Sequence, residues 1–275
     1  MNNVLLGKTA SAKMLEELEG ELSKLDQKLK LVVLQIGDNE ASNLYIKHKQ
    51  RKASELGIDF EHIKYDEKVS EDEVINKIVL LNEDKDVTGI ILQLPIPERF
   101  NKEQIINYIN SYKDVDGLTD INQAKLTTGG GIVPCTPLGI MRLLDHYEID
   151  MENKQVVIIG RSKLVGGPLI NLCHKKGAIV TVCHSGTEDL KAETLKADIL
   201  ISATGVPHLI TEDMVKDDII VIDVGVNREG TTVIGDVHHD VYKKVRAYTP
   251  TIGGVGPMTV ASLMCNILNC HKLQK

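Results

Sequence analysis

Apolar positions in the first part of the chain alternate between two periods. Ala12, Leu15, Leu18, Leu22 and Leu25 recur at helical spacing, which predicts an amphipathic helix over Thr9–Leu25. Leu31–Ile36 reads as a buried strand closed by Gly37-Asp38-Asn39, and a helix follows from about Ala41 to Leu56, stopping at Gly57. Phe60–Tyr65 is a weaker strand. Ser70-Glu71-Asp72-Glu73 has the capping-box pattern of a helix start, with the helix reaching about Asn82. Gly89–Leu94 is a third strand, stopped by Pro95 and Pro97, and Lys102–Tyr112 is another helix. Strands alternating with helices in this order predict a small parallel sheet with helices around it.

Residues 113–137 differ in kind. Lys113-Asp114-Val115-Asp116-Gly117 is a turn, and Thr127–Pro137 is rich in Gly, Thr and Pro, as a passage between domains would be. Beyond it, Pro137–His146 reads as a helix, and the runs Val156–Ile159, Ala178–Cys183, Asp198–Ser202 and Ile219–Val224 read as parallel-type strands buried on both faces. A last helix covers Met258–Leu268. The expected fold is therefore α/β with two domains: an N-terminal α/β domain over 1–120 and a Rossmann-like nucleotide-binding domain over 136–256. The C-terminal helix, 257–275, is expected to pack back on the first.

The strand Val156–Ile159 ends at Gly160, and Gly166-Gly167-Pro168 opens an apolar helical stretch. A strand, a glycine turn and a helix N-terminus together make a phosphate site, because first-turn N–H groups are unpaired and glycine admits a pyrophosphate to the backbone. The spacing is neither G-x-G-x-x-G nor a Walker loop. An NAD site usually carries an acid about 20 residues after the loop to hold the ribose hydroxyls. Here the second strand ends in His184-Ser185-Gly186-Thr187 instead. Arg161, Ser162 and Ser185 suit a dianionic 2′-phosphate, so the expected cofactor is NADP.

Composition narrows the class. A net charge of −7 and the absence of Trp argue against a nucleic-acid or anionic-membrane partner, and no apolar run approaches membrane-spanning length. The segment MNNVLLGKTASAK lacks the regions of a signal peptide. Cys135, Cys173, Cys183, Cys265 and Cys270 are scattered, which points to reduced thiols and a cytoplasmic setting. His174, His184, His238 and His239 have no convincing ligand spacing, so no metal is expected.

Three polar intrusions stand out. Ser42, Tyr45, Lys49, Ala53 and Leu56 share one helix face, on which Tyr45, Ala53 and Leu56 are expected to point inward. A lysine there is costly to bury, and desolvation makes such an amine usable as an acid or base near neutral pH; the plainer alternative is that it snorkels to solvent. Gln93 interrupts the strand near its carboxyl end, where ligands of open α/β sheets gather. Asp116 is either a turn former or a ligand group. Tyr45 and Lys49 also satisfy the Y-x-x-x-K pattern of short-chain dehydrogenases, but there the pair follows the nucleotide loop, and here it lies far upstream.

Taken together, ASNLYIKHK with Gly57, GIILQLPIP, KDVDG, VPCTP, IIGRSKLVGGP, VCHSGT, DILISATGVP, VIDVGVN and GGVGPMT resemble the bifunctional methylenetetrahydrofolate dehydrogenase/cyclohydrolase family, in order and over nearly the whole chain. The resemblance implies two domains enclosing a cleft, and one-carbon derivatives of tetrahydrofolate as substrates. NADP would lie on Gly160, Arg161, Ser162, Gly166, Ser185 and Val226. Tyr45 would stack on the aminobenzoyl portion of the folate, Asp116 would hydrogen-bond the pterin, and Gly253, Gly254 and Pro257 would line the folate side. Lys49 and Gln93 would serve the chemistry. The family is typically a homodimer. Thr251-Ile252 stands where the family usually has Val-Pro, and Ala124-Lys125 replaces a common Gly-Arg. Competing readings are a two-domain dehydrogenase of the shikimate or amino-acid type, against which Tyr45 and Asp116 count, and a silent binding protein, against which Lys49 and Gln93 count.

Overall fold

In a computed structural model of the chain, residues 3–230 and 232–275 are described. In chain order the elements are β1 (Asn3–Val4), α1 (Gly7–Leu22), β2 (Lys30–Ile36), α2 (Glu40–Glu55), β3 (Asp59–Tyr65), α3 (Glu71–Glu83), β4 (Gly89–Leu92), α4 (Lys102–Asn107), α5 (Asp120–Thr128) and α6 (Cys135–His146). The second part adds β5 (Gln155–Ile159), α7 (Gly166–Lys175), β6 (Ile179–Cys183), α8 (Leu190–Thr194), β7 (Ile199–Ser202), β8 (Ile220–Asp223), β9 (Asn227–Glu229), β10 (Thr232–Ile234), α9 (Val241–Lys244), β11 (Ala247–Tyr248) and α10 (Val255–Leu273). The expected α/β class with parallel sheets holds. No helix among the described residues is long and apolar enough to cross a membrane.

The chain divides into two compact units, one of Met14–Cys135 with Val260–Lys275 and one of Thr136–Thr259 with the residues up to Lys13. The front domain expected over 1–120 therefore differs at both ends. Asn3–Val4 joins the second unit because β1 pairs in parallel with β11, while residues 121–135 stay with the first.

The first unit is built on a parallel sheet in the order β3-β2-β4. Its central strand explains the uninterrupted apolar run of the sequence, since both faces are covered. Leu31 and Val33 face a core with Ile46 and Ala53 of α2 and with Leu263, Met264 and Ile267 of α10. Val32, Leu34 and Ile36 face a second core with Val74 and Ile78 of α3, Ile90 and Leu92 of β4, and Ile105. Residues 263–270 thus complete the first core, and truncating one such side chain to Ala would cost about 2–5 kcal/mol.

Two elements depart from the periodic reading. The helix expected over Lys102–Tyr112 ends at Asn107, because Asn82 captures the backbone beyond it: its Nδ2 donates to the Tyr108 carbonyl at 2.7 Å and its Oδ1 accepts from Asn110 N at 2.9 Å. Within the expected passage, α5 forms where no amphipathic pattern announces it. Thr119 caps its start by accepting from Asn122 N, and Gly129, at φ 90°, ends it.

The second unit carries a six-stranded sheet in the order β1-β11-β8-β7-β5-β6, and its pairs from β1 to β6 are parallel. Strand order reverses at β5, from which β6 lies on one side and β7 then β8 on the other. This is the topological switch point at which open α/β sheets bind dinucleotides. A short antiparallel pair, β9 with β10, follows β8 and has no counterpart in the expectations from sequence.

Candidate functional site

In the first unit, the carboxyl end of β4 and one face of α2 are joined by a ladder of hydrogen bonds. Asn39 caps α2, accepting from Ser42 N at 3.0 Å. Ser42, 2% exposed, donates through Oγ to the Leu94 carbonyl at 3.3 Å. Gln93 Nε2 donates to the same carbonyl at 2.7 Å, and this fixes the carboxamide with Oε1 turned toward α2. Lys49, seven positions beyond Ser42 and so on the same face, donates from Nζ to that Oε1 at 2.9 Å. The lysine is half-buried. It does not snorkel to solvent; it is held by a buried amide whose other end is already committed.

Tyr45 corrects the expectation made for it. It does not point inward but is 46% exposed on the flank of α2, while Ile46 and Ala53 fill the core. An exposed phenol ring presents a face to a partner, which a buried one cannot do.

The two acids of KDVDG separate sharply. Asp114, 1% exposed, accepts from Thr119 N at 2.8 Å and Asn122 Nδ2 at 2.9 Å; burial raises its carboxyl above the usual range, and these donors oppose the rise. It organises the turn. Asp116 is only half-buried, and the Cys135 thiol donates to its Oδ1 at 3.5 Å. Burial drives that thiol well above its ordinary pKa, Asp116 adds to the rise, and the Lys49 charge opposes it. Lys49, Asp116 and Cys135 thus feel one another across a small region, although the sequence places them far apart. Asn266 of α10 stitches this region by donating to the carbonyls of Val115 at 2.9 Å and Val133 at 2.8 Å.

In the second unit, Gly160 lies at φ 103°, and a side chain there would reach within 2.5 Å of the Ala203 carbonyl. A side chain at Gly166 would meet the Gly160 carbonyl at 2.0 Å. Both glycines are therefore required by a turn that closes tightly onto α7. The turn leaves Arg161 and Ser162 exposed, and Gly160 N donates to the Cys183 carbonyl at 2.9 Å, which sets this loop beside the turn after β6 where Ser185 is exposed. A cationic guanidinium, two hydroxyls and a helix start over a glycine turn fit the phosphates of a nucleotide. Val226, 56% exposed, lies on the loop after β8. Gly253, at φ 83°, and buried Gly254 form the turn into α10, with Pro257 in that helix's first turn, where a missing N–H costs nothing. Of the two departures from the family pattern, Thr251 approaches Tyr242 Oη at 3.5 Å while Ile252 is 73% exposed, and Lys125 sits over the Tyr112 ring at 5.1 Å.

Two acids that reading the chain passed over are buried beneath these loops. Asp223 and Asp236 are 2% and 0% exposed. The available signal was an acid inside each of two apolar runs, VIDVGV and VIGDV. Asp223 accepts from Gly225 N, Asp236 N, Val237 N and Tyr242 Oη, and burial, with the Asp236 charge as a smaller contributor, raises its carboxyl to about 6. An unfolded aspartate titrates at about 3.9. Between these values the folded state holds the proton more tightly, so this group's contribution to stability falls as pH rises from about 4 to 6 and is constant above. Subtracting the urea-unfolding free energy of Asp223→Asn from that of the wild type at each pH should show the wild type losing about 2 kcal/mol relative to the variant between pH 4 and 7. A difference that does not change with pH would assign Asp223 an ordinary carboxyl.

Among the described residues, His238, His239 and Asp240 have ligand atoms within 4.8 Å of one another. Asp240 is also paired with Lys243 at 2.7 Å, which makes the group a surface charge cluster.

A family model described as the tetrahydrofolate dehydrogenase/cyclohydrolase catalytic domain matches residues 5–116, and one described as the NAD(P)-binding domain of the same family matches residues 134–275. The chain is 46% identical to the bifunctional protein FolD of Sulfurihydrogenibium sp., over 98% of this chain and 97% of that one. A crystal structure of the bifunctional enzyme FolD, methylenetetrahydrofolate dehydrogenase/cyclohydrolase, from Campylobacter jejuni superposes with a TM-score of 0.96 at 42% identity, covering 100% of each chain. The Trypanosoma brucei dehydrogenase-cyclohydrolase, complexed with NADP and an inhibitor, superposes with a TM-score of 0.94 at 29% identity over 99% of this chain and 98% of that one. On both family models, on identity and on fold, the chain belongs to the tetrahydrofolate dehydrogenase/cyclohydrolase family.

Proposed function

We infer that the protein oxidises 5,10-methylenetetrahydrofolate to 5,10-methenyltetrahydrofolate with NADP and then hydrolyses that product to 10-formyltetrahydrofolate. The observation that carries this reading is Lys49 Nζ at 2.9 Å from Gln93 Oε1, an amine aimed by an amide that is itself fixed. NADP, when bound, supplies the hydride acceptor for the folate's bridging methylene. The chain's task in that step is alignment. Gly160 and Gly166 bring backbone to the pyrophosphate, Arg161, Ser162 and Ser185 hold the 2′-phosphate, and Val226 lies against the cofactor. Gly253, Gly254 and Pro257 line the folate side, Tyr45 stacks on the aminobenzoyl ring and Asp116 hydrogen-bonds the pterin.

Hydrolysis asks more of the side chains. Water adds to the methenyl carbon and must lose a proton, and a ring nitrogen must gain one before its bond to that carbon breaks. Lys49 Nζ, aimed by its hydrogen bond to Gln93 Oε1, is the group placed to take the first proton and return it for the second step. As that bond breaks the carbinol oxygen gives up its own proton to become the formyl carbonyl. The net change is addition of one water to the methenyl cation and release of one proton. The thiols of Cys135, Cys173, Cys183 and Cys270 are buried and free, which suits the reducing cytoplasm where we place the protein. We assign it the homodimeric state typical of its family, with no nucleic-acid partner, in keeping with a net charge of −7.

The test supplies purified full-length chain with methylenetetrahydrofolate and NADP while NADPH and the methenyl chromophore are followed together. NADPH should rise with folate consumed, and the methenyl signal should stay below it as the formyl product accumulates. Absence of NADPH formation would overturn the reading. So would a methenyl product that decays no faster than it does without protein.

A further inference from the structure

The buried pair Asp223 and Asp236 lies under the loops that follow β7 and β8, whose ends pair at Ser202 and Asp223. A single oxygen of Asp236, Oδ2, accepts from Ser202 Oγ at 3.0 Å, Thr204 N at 2.7 Å, Thr204 Oγ1 at 2.9 Å and Gly205 N at 3.3 Å. Its Oδ1 accepts from Asn227 Nδ2 at 3.4 Å, at the start of β9 where the loop after β8 ends. Glycine makes room for both acids: a side chain at Gly225 would lie 2.0 Å from Asp236 Oδ1, and one at Gly235 would lie 1.8 Å from Asp223 Oδ2. Among the described residues, the donors that reach these carboxylates are hydroxyls, a carboxamide and backbone N–H groups, all neutral. Neutral donors orient a buried charge without cancelling it.

The place matters because of the sheet order. A dinucleotide crosses the switch point with one mononucleotide on each half of the sheet. The 2′-phosphate groups Arg161 and Ser185 belong to the β5–β6 half, so the nicotinamide end falls to the loops after β7 and β8. We propose that Asp236 is a positioning residue for hydride transfer, clasping these two loops in the conformation that seats the nicotinamide, and that its charge makes them favour the oxidised ring over the reduced one. The oxidised ring carries a positive charge that the reduced ring lacks. An uncancelled carboxylate below the loops therefore stabilises NADP⁺ selectively. This rests on the assignment of NADP as cofactor made above.

The experiment is calorimetric titration of the full-length protein with NADP⁺ and, separately, with NADPH. Wild type should bind NADP⁺ more tightly. In Asp236→Asn, which keeps the shape and removes the charge, NADP⁺ affinity should fall on the order of tenfold and NADPH affinity much less. The KM for NADP should rise while that for the folate holds. Thr204→Val, which removes one donor and leaves the charge, should weaken both forms alike. Equal losses in Asp236→Asn would reduce Asp236 to a structural acid. A wild type that binds NADPH as tightly as NADP⁺ would overturn the charge argument even if Asp236→Asn does not fold, and unchanged cofactor binding in Thr204→Val would overturn the clasp. A wild type that binds neither form would instead sink the cofactor assignment itself.

Discussion

Lys49→Met should lose ring-opening activity by about 10²- to 10⁴-fold, the range that a positioned acid or base contributes. Methionine nearly matches the length of lysine and keeps the aliphatic packing along α2, but it neither donates to Gln93 Oε1 nor exchanges a proton. The loss of that donor leaves a buried amide oxygen without its partner, a cost of about 1–3 kcal/mol, which a folded protein of this size tolerates with a lowered melting temperature. The residues proposed to hold the cofactor lie on the other unit, so its binding should be retained. The measurement is decay of supplied methenyltetrahydrofolate, with circular dichroism and NADP titration as controls. Ring opening at the wild-type rate would remove Lys49 from the chemistry and leave the 2.9 Å contact with Gln93 as a packing detail.

For the cofactor, Arg161→Ala should lower kcat/KM for NADP by about 10- to 100-fold and leave kcat/KM for NAD nearly unchanged. A guanidinium on a phosphate dianion makes charge-assisted hydrogen bonds of about 1.5–3 kcal/mol, and NAD has no phosphate at that position. Arg161 is exposed, so added salt should narrow the difference between the two cofactors. Equal losses for both would show that the arginine acts on the pyrophosphate or the loop and not on the 2′-phosphate.

The sheets were legible in the sequence because parallel strands buried on both faces are written as uninterrupted apolar runs. β2, β5, β7 and β8 all fall within a residue or so of where those runs lie. Elements held by side-chain capture were not. The early end of α4 depends on Asn82, distant in sequence, and α5 depends on its two caps more than on an apolar stripe. Of the site, the ladder from Ser42 to Lys49 was partly visible as polar residues on an inward face. The outward turn of Tyr45 was not, since helical spacing alone does not say which edge of the face meets the core. Asp223 and Asp236 escaped notice because a lone acid in an apolar run carries no sign of what it will bond.

One feature of the architecture bears on how the molecule is made. The unit that begins with Met14 is completed by Val260–Lys275, whose Leu263, Met264, Ile267 and Leu268 belong to its core. Domains otherwise fold as units while the ribosome is still delivering chain. Here the segment translated early must wait, with one of its two cores incomplete, until residues 263–268 have been made. A stalled or prematurely terminated message therefore yields a species with exposed apolar sheet surface, a substrate for chaperones or proteases and not a smaller working enzyme.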